Sequence, residues 1–503
     1  MLSPIEQFPV LAVAISLLSA FTILIVGRLN KKSCCFISIA TILVQLVMSF
    51  YILDHILTVG TIHYWLGGWK PPWGIEYVVD ALNAYVLVIL LFLSLISAIY
   101  SKRSIEHELP SHKIIPFYTL FQLLVAGMCG VTVTGDIFNM YVFIEIMSIA
   151  AYALIASNKI GLKAGFTYLV MGSIGACFFL LGIGFLYSVT GSLNMHDLSL
   201  LLPPLYGNRV VQAAFVFFLA GLGIKMAFFP LHTWQPDAYA YAPSAVSVII
   251  SAAMSTVSIY AFLRVLFSVY TTQFILIYAP LATAISWLAA IAIIFGAVYA
   301  LAQYDLKRML AYSSVMHVGY IMLAVGVCTS TTVGLTPAVM HLLNHALMKG
   351  CLFLIAGAYI YKKAELWDIR EFRGLGRKMP YTSAAFIFTA LAMCEIPPGV
   401  GFVSILYLLF AFMDAGQFIF AAVIFFSILL TFFYFFHVIE IMYGRVGVEE
   451  MKEPEIDEIP LSMLIPVLLL AALSWIVGAI WLMGIPFPIL DAVNSMFGLG
   501  VVP

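Results

Sequence analysis

Apolar residues fill window after window of about 20 positions along this chain, the length that crosses a bilayer as a helix, and short polar stretches separate the windows. Spans are predicted near residues 8–27, 35–58, 79–100, 115–134, 137–157, 164–190, 210–229, 244–268, 274–300, 309–328, 335–360, 380–410, 415–443 and 459–484. That makes fourteen, the seventh and twelfth broken by prolines. The basic residues test the parity of this reading, because cytoplasmic loops are the basic ones. Alternate loops hold 18 of the 23 lysines and arginines, from Arg28, Lys31 and Lys32 through Lys102, Arg103 and Lys113 to Arg445 and Lys452. The opposite loops hold Lys70 and Arg209, while Lys225, Arg264 and Lys349 fall within spans. A miscounted span would scramble this asymmetry, so both termini are predicted to be external.

Composition excludes a soluble globule. Hydrophobic residues make up 63% and charged residues 9%, with a mean hydropathy of +1.08, where charged residues alone normally approach a quarter. The net charge of −1 argues for no nucleic-acid partner. The seven cysteines have no metal-type spacing, so neither a disulfide framework nor a zinc or iron–sulfur site is expected, and no cofactor. Thr58 to Ala84, rich in glycine, proline and tryptophan, reads as an ordered interfacial turn.

The stretch from Gly221 to Pro243 breaks two rules of membrane helices. Lys225 follows an almost wholly apolar run, where an ammonium group costs roughly 3 kcal/mol on an insertion scale. Pro230 and Pro236 then remove backbone donors, which lipid tolerates only where the segment is buried in protein or lines a wet cavity. His232 and Asp237 lie in the same interruption. Glu145, flanked by apolar residues in the fifth span, is the opposite charge available to Lys225.

The eleventh span repeats an ionisable residue every fourth position, His341, His345 and Lys349, which puts all three on one stripe of a helix. Neutral imidazoles in a row accept and donate protons in turn, so a proton relay is expected. In the tenth span His317 sits among small residues that permit close helix contact. Pro397 and Pro398 break the twelfth span as Pro230 breaks the seventh. Two breaks five spans apart imply repeats of opposite orientation, a common transporter design. His437 and Glu440 are either a polar exit group or an interfacial pair. The acidic stretch Glu449 to Glu458 reads as a solvated loop and a docking edge for another subunit.

These motifs resemble the antiporter-like membrane subunits shared by Mrp-type sodium/proton antiporters, respiratory complex I and membrane-bound hydrogenases. The resemblance covers nearly the whole chain and rests on GGWKPPWGIEYVVDALNA, Glu145 in its span, GIKMAFFPLHTWQPDAYAYAPSAVS, YSSVMHVGYIML, NHALMKGCLFLIAG, and FRGLGRKMP followed by IPPGVGF. The GGW-PP-GI form is most like the D-type Mrp subunit and its counterpart in hydrogenase and sulfane-reductase complexes. It implies an ion-pair switch at Glu145 and Lys225 and a central relay at His341, His345 and Lys349. Two positions depart from the family pattern: Thr256 where a lysine or histidine is usual, and Ile405 where a lysine or glutamate is usual. Glu395, beside the second break, is a candidate replacement for the missing exit charge.

The expected fold is all-α and polytopic, with spans 4–8 and 9–13 forming two inverted repeats. The division is an N-terminal three-helix unit at 1–113, repeats at 114–270 and 271–443, and an acidic cytoplasmic loop with the last span at 444–503. The expected function is ion translocation, of protons with sodium as a candidate coupled ion, within a multi-subunit complex in a prokaryotic cell membrane; redox chemistry belongs to partner subunits. The alternative is an antiporter-like structural subunit that bridges its neighbours without conducting.

Overall fold

The computed structural model describes residues 4–328, 331–362, 368–444, 456–484 and 488–499. Among these residues, twelve helices are long and apolar enough to cross a membrane. The other two predicted spans are interrupted. The seventh is Arg209–Lys225, an irregular stretch, then Gln235–Tyr241; the twelfth is Pro380–Met393, then Val400–Ala415. The molecule is therefore an all-α polytopic membrane protein, as the fourteen apolar windows required. Helices satisfy every backbone polar group internally, which lipid demands.

Polar side chains close several helix starts. Asp80 accepts from the backbone N–H groups of Leu82 and Asn83 to begin the third span, Ala81–Glu108, and the Asn83 side chain accepts from the Asp80 N–H in return. Asp136 and Asp305 cap the fifth span, Ile137–Ile155, and the tenth, Leu306–Val327, by accepting from a first-turn N–H.

Burial divides the helices into two groups. The eighth span, Ser244–Val269, is buried along its whole apolar window, and the tenth and the eleventh, Thr336–Lys362, nearly so. Spans one, two, six and thirteen bury one face and turn the other toward lipid. Polar residues on the central helices are thus surrounded by protein. Glycine sets the closest approach: a Cβ on Gly221 of the seventh span would stand 2.7 Å from the Gly175 carbonyl oxygen of the sixth.

Four features differ from the sequence expectations. Thr58 to Ala84 is more than a turn: β1, Ile62–Trp65, pairs antiparallel with β2, Glu76–Val79, from Ile62 opposite Val79 to Trp65 opposite Glu76. The eighth span is α-helical only in parts, with π-helical turns at Ile249–Met254 and Val265–Val269. Pro236 does not break a helix; it lies in the first turn of Gln235–Tyr241, where its missing N–H leaves no bond unmade. Lys307, a loop cation by its place in the sequence, is 2% exposed, and its ammonium donates to the Ala242 carbonyl and Ser247 Oγ at 3.0 and 3.3 Å.

The beginning of the acidic stretch, from Glu449, lies outside the described residues together with Lys363, Arg445 and Lys452. Its end is anchored. Glu458 accepts from the Tyr381 and Thr382 N–H groups at 2.6 and 3.2 Å, and Asp457 pairs with Lys362.

Candidate functional site

Two buried polar clusters form, one beside each helix break. In the first, Lys225 is the last residue of its helix, so the chain turns away immediately after it. Trp234 holds the turn by donating its indole N–H to the Ile224 carbonyl at 2.9 Å. The Lys225 ammonium then meets three acceptors: Glu145 Oε1 at 3.1 Å, Ser148 Oγ at 2.8 Å and Tyr152 OH at 3.2 Å. All three come from one face of the fifth span, at i, i+3 and i+7. An ammonium has three protons to donate, so this one is fully satisfied. The Lys225 side chain is 3% exposed and that of Glu145 23%. The Tyr152 ring meets Tyr168 edge-on, and Tyr168 stacks on Trp234 at 3.7 Å, so the acceptor wall and the break are one packed unit.

The second cluster lies among spans ten to thirteen. His341 faces His317 across the helix contact, Nε2 to Nδ1 at 2.8 Å, and its Nδ1 is 2.9 Å from Ser404 Oγ. Ser404 donates its single hydroxyl hydrogen to the Gly401 carbonyl at 2.9 Å and accepts from Asn344 Nδ2 at 2.7 Å. His341 must then donate from Nδ1 to Ser404, and so accept at Nε2 from His317 Nδ1–H. That assignment leaves His317 Nε2 as a bare acceptor, and it has no hydrogen-bond partner among the described residues. The same holds for both ring nitrogens of His345, whose ring centre is 6.0 Å from that of His317. Tyr320 sets its ring edge-on to both His317 and His341 and bonds Ser427 at 2.7 Å.

Lys349 ends this stripe. Its ammonium donates to Ser313 Oγ and, at 3.2 Å, to the Leu310 carbonyl, and among the described residues no carboxylate pairs with it. Glu395 sits in the twelfth-span break with a left-handed φ of 57°, a strained conformation for a residue with a side chain. Both its carboxyl oxygens are buried without a hydrogen-bond partner among the described residues. Gly401 makes room for them, since a Cβ there would fall 2.1 Å from Glu395 Oε2.

Other predicted residues lie elsewhere. His232 packs against Phe229 and Phe295, and its Nδ1 has no hydrogen-bond partner among the described residues. Asp237 forms a salt bridge with Arg308 at 3.2 Å, fastening the short half-helix to the tenth span. His437 and Glu440 are 3.9 Å apart with both side chains more than half exposed, as in an interfacial pair. Pro230 lies inside the first break, and Pro397 and Pro398 inside the second. Thr256 turns its hydroxyl back to the Ala252 carbonyl at 2.7 Å, and Ser255 and Ser258 do likewise on their own helix. Beside Lys349, at Gly350, the nearest neighbours are side-chain carbons of Leu470, Leu93 and Ala252. Ile405 is 3% exposed.

Three groups of polar contacts escaped the sequence reading. Ser148 and Tyr152 are ordinary membrane-helix residues, and only their spacing from Glu145 signals them. At the C-terminal end of the eighth span, Arg264 bonds Asp80 Oδ1 at 2.5 Å, Tyr260 OH at 2.9 Å and Ser268 Oγ at 3.0 Å, and also reaches Asn83. On the hairpin above, Glu76 bonds His63 at 2.8 Å and Asn194 at 3.0 Å. The hydrogen bond to Glu76 raises the His63 pKa despite partial burial. For Glu76 burial works upward, but the bonds from His63 and Asn194 outweigh it and hold its pKa below the usual value.

A polytopic helical protein with two broken spans, each set against a buried ionisable cluster, has the architecture of a secondary ion transporter. The comparisons specify the family. Residues 134–431 match the family described as "NADH:quinone oxidoreductase/Mrp antiporter, TM", and the chain belongs to it. It is 42% identical to the N-type subunit of the NADH-quinone oxidoreductase of Desulforudis audaxviator, over 92% of this chain and 94% of that one. It is 31% identical to the D-type subunit of the Na(+)/H(+) antiporter of Bacillus subtilis, over 90% and 89%. A chain in the structure of the membrane-bound sulfane sulfur reductase, an archaeal respiratory membrane complex, superposes with a TM-score of 0.88 at 30% identity, covering 98% of both. A chain of the Mrp complex from Dietzia sp. has the same fold, with a TM-score of 0.87 at 23% identity over 98% of both.

Proposed function

We propose that this chain is an ion-translocating subunit of a multi-subunit complex in a prokaryotic cell membrane, moving protons with sodium as a candidate coupled ion. The complex is of the Mrp antiporter type or a respiratory type that contains Mrp-like subunits. In this reading the chain carries two repeats, 114–270 and 271–443, after a three-helix unit at 1–113. Redox chemistry resides in partner subunits.

The observation that carries the proposal is the Lys225–Glu145 pair at 3.1 Å beside a helix break. A buried ion pair is a poor source of stability, and its place at an interruption lets a small backbone shift change the distance between the charges. Opening the pair leaves Lys225 disposed to lose its proton; closing it restores the charge. His317, His341 and His345 would carry protons through the second half by exchanging donor and acceptor roles, with Lys349 and Glu395 at the ends.

A second reading has its own observation. The hydroxyls of Ser255, Thr256 and Ser258 donate to their own helix, and a Cβ at Gly350, beside Lys349, would meet only side-chain carbons, one of them from Ala252 of the eighth span. A structural subunit would look like this at that point. Lys225→Ala in the assembled complex separates the two. Glu145 is 23% exposed and within reach of water when its partner is gone, so assembly should persist while ion-coupled activity falls about a hundredfold, the equivalent of roughly 3 kcal/mol. Unchanged transport would establish the structural role.

A further inference from the structure

We propose that the cavity between the second, third and fourth spans at the cytoplasmic boundary is a binding site for an anionic phospholipid. The cavity is about 390 Å³, and Lys31, Lys32, Lys102 and Arg103 stand around it. One carboxylate, Glu106, also lines it and lies 3.6 Å from Arg103. Lys31, Lys32 and Lys102 make no ion pair among the described residues. Elsewhere on this face Arg28, Lys159, Lys163, Arg373, Arg377 and Lys378 likewise make no ion pair among the described residues, but none of them lines this cavity; others are held by the protein. Lys113 donates to the Ser157 carbonyl, and Arg308, Lys362 and Arg370 each hold a carboxylate.

The occupant is argued from charge and shape together. Four cations against one carboxylate call for an anion, and basic pockets between helices at the cytoplasmic boundary suit anionic head groups. The floor of the cavity is apolar, with Phe36, Ile39 and Ile114. From Phe36 an exposed apolar stripe continues up the second span through Leu43, Val47 and Phe50, which are 73%, 48%, 48% and 53% exposed. At 1.5 Å per residue this stripe is about 21 Å long, against about 15 Å for one leaflet of the hydrocarbon core. A basic end joined to an apolar track of that length matches a phospholipid with its phosphate among the lysines and an acyl chain along the helix. A free anion would use only the first half of this surface.

The test uses the full chain in phosphatidylcholine vesicles containing a minor fraction of phosphatidylglycerol. Phe36→Trp places a fluorescent reporter on the track, read as the difference from the parent protein. Brominated phosphatidylglycerol should quench it several-fold more than brominated phosphatidylcholine at equal content. Lys32→Gln with Lys102→Gln should abolish the preference, and these exposed substitutions leave the fold intact, checked by circular dichroism. Glu106→Gln should strengthen it. Equal quenching by the two lipids overturns the proposal. So does displacement by inorganic phosphate, which would mark a free-anion site, and so does loss of quenching in the assembled complex, which would mark a neighbouring subunit on this face.

Discussion

Lys225 and Lys349 are both buried lysines near the middle of their halves, yet their surroundings are opposite in kind. Lys225 has a carboxylate, a serine and a phenol, one acceptor for each proton it carries. Among the described residues Lys349 has a serine and a carbonyl and no carboxylate, while the nearby histidines and Glu395 keep five polar atoms without hydrogen-bond partners. The first half is arranged to hold a charge in place. The second is arranged to receive one, since buried acceptors left unmatched are costly at rest and are relieved by a proton or a water. On the proposed function, one scaffold thus supports an ion-pair switch in one half and a histidine relay in the other.

Four substitutions or conditions press on that contrast. The largest expected effect is Gly401→Ala. The added methyl group has nowhere to go between Glu395 Oε2 and the Ala392 carbonyl oxygen, at 2.1 and 2.8 Å, so it should cost about 3 kcal/mol and lower the thermal midpoint of the purified chain. Equal stability would mean that Glu395 moves freely and is not held by the break. Next, His345→Phe removes two unmatched nitrogens and keeps a ring. It should raise stability by about 2 kcal/mol while ion-coupled activity is lost; a fall in stability would show that the imidazole is bonded in the folded state.

Ser148→Ala, in the first half, should do the reverse. Removing one of three acceptors should destabilise by about 1 kcal/mol and weaken activity several-fold, with Lys225 still paired to Glu145. Denaturant titration beside transport measurements resolves this. The smallest effect concerns the outer hairpin. The raised pKa of His63 contributes stability that is complete below its unfolded value and disappears as pH rises through its folded one; the lowered pKa of Glu76 contributes stability that disappears as pH falls through its folded value. The hairpin should therefore be held best between the unfolded values of Glu76 and His63, about 4.5 and 6.5. Amide exchange across residues 62–79 should quicken from about pH 6 to about pH 9 beyond the intrinsic rate, and His63→Gln should flatten that excess.

The sequence is most informative where lipid imposes a rule. Fourteen spans are legible because each needs about 20 apolar residues, and Glu145 and Lys225 stand out because opposite charges in apolar runs require each other. The stripe of His341, His345 and Lys349 follows from a four-residue repeat. Pairing across helices is harder to read. His317 is visible as a candidate, but its bond to His341 depends on how spans ten and eleven are rotated. Arg264 and Asp80 are 184 positions apart, and each sits near a span end where a charge is unremarkable. Lys307 follows the same logic in reverse: its loop position suggests solvent, while the folded chain uses it to bond the carbonyl left open at Ala242.

The π-helical turns of the eighth span have a consequence for register. A π turn bonds i to i+5 in place of i+4, so it stores extra chain within a helix that is otherwise regular. This span is moored at both ends, by Ser247 to the Tyr239 carbonyl and by Arg264 to Asp80, with π turns at Ile249–Met254 and Val265–Val269 on either side of Thr256. If one π turn relaxed to α while the other lengthened, the segment between them would rotate by about 100°, one residue's worth; Arg264 ends that segment, so its bond to Asp80 is what holds the register. The hydroxyls of Ser255, Thr256 and Ser258 ride on that segment, and a helix of constant length could present them to a different neighbour.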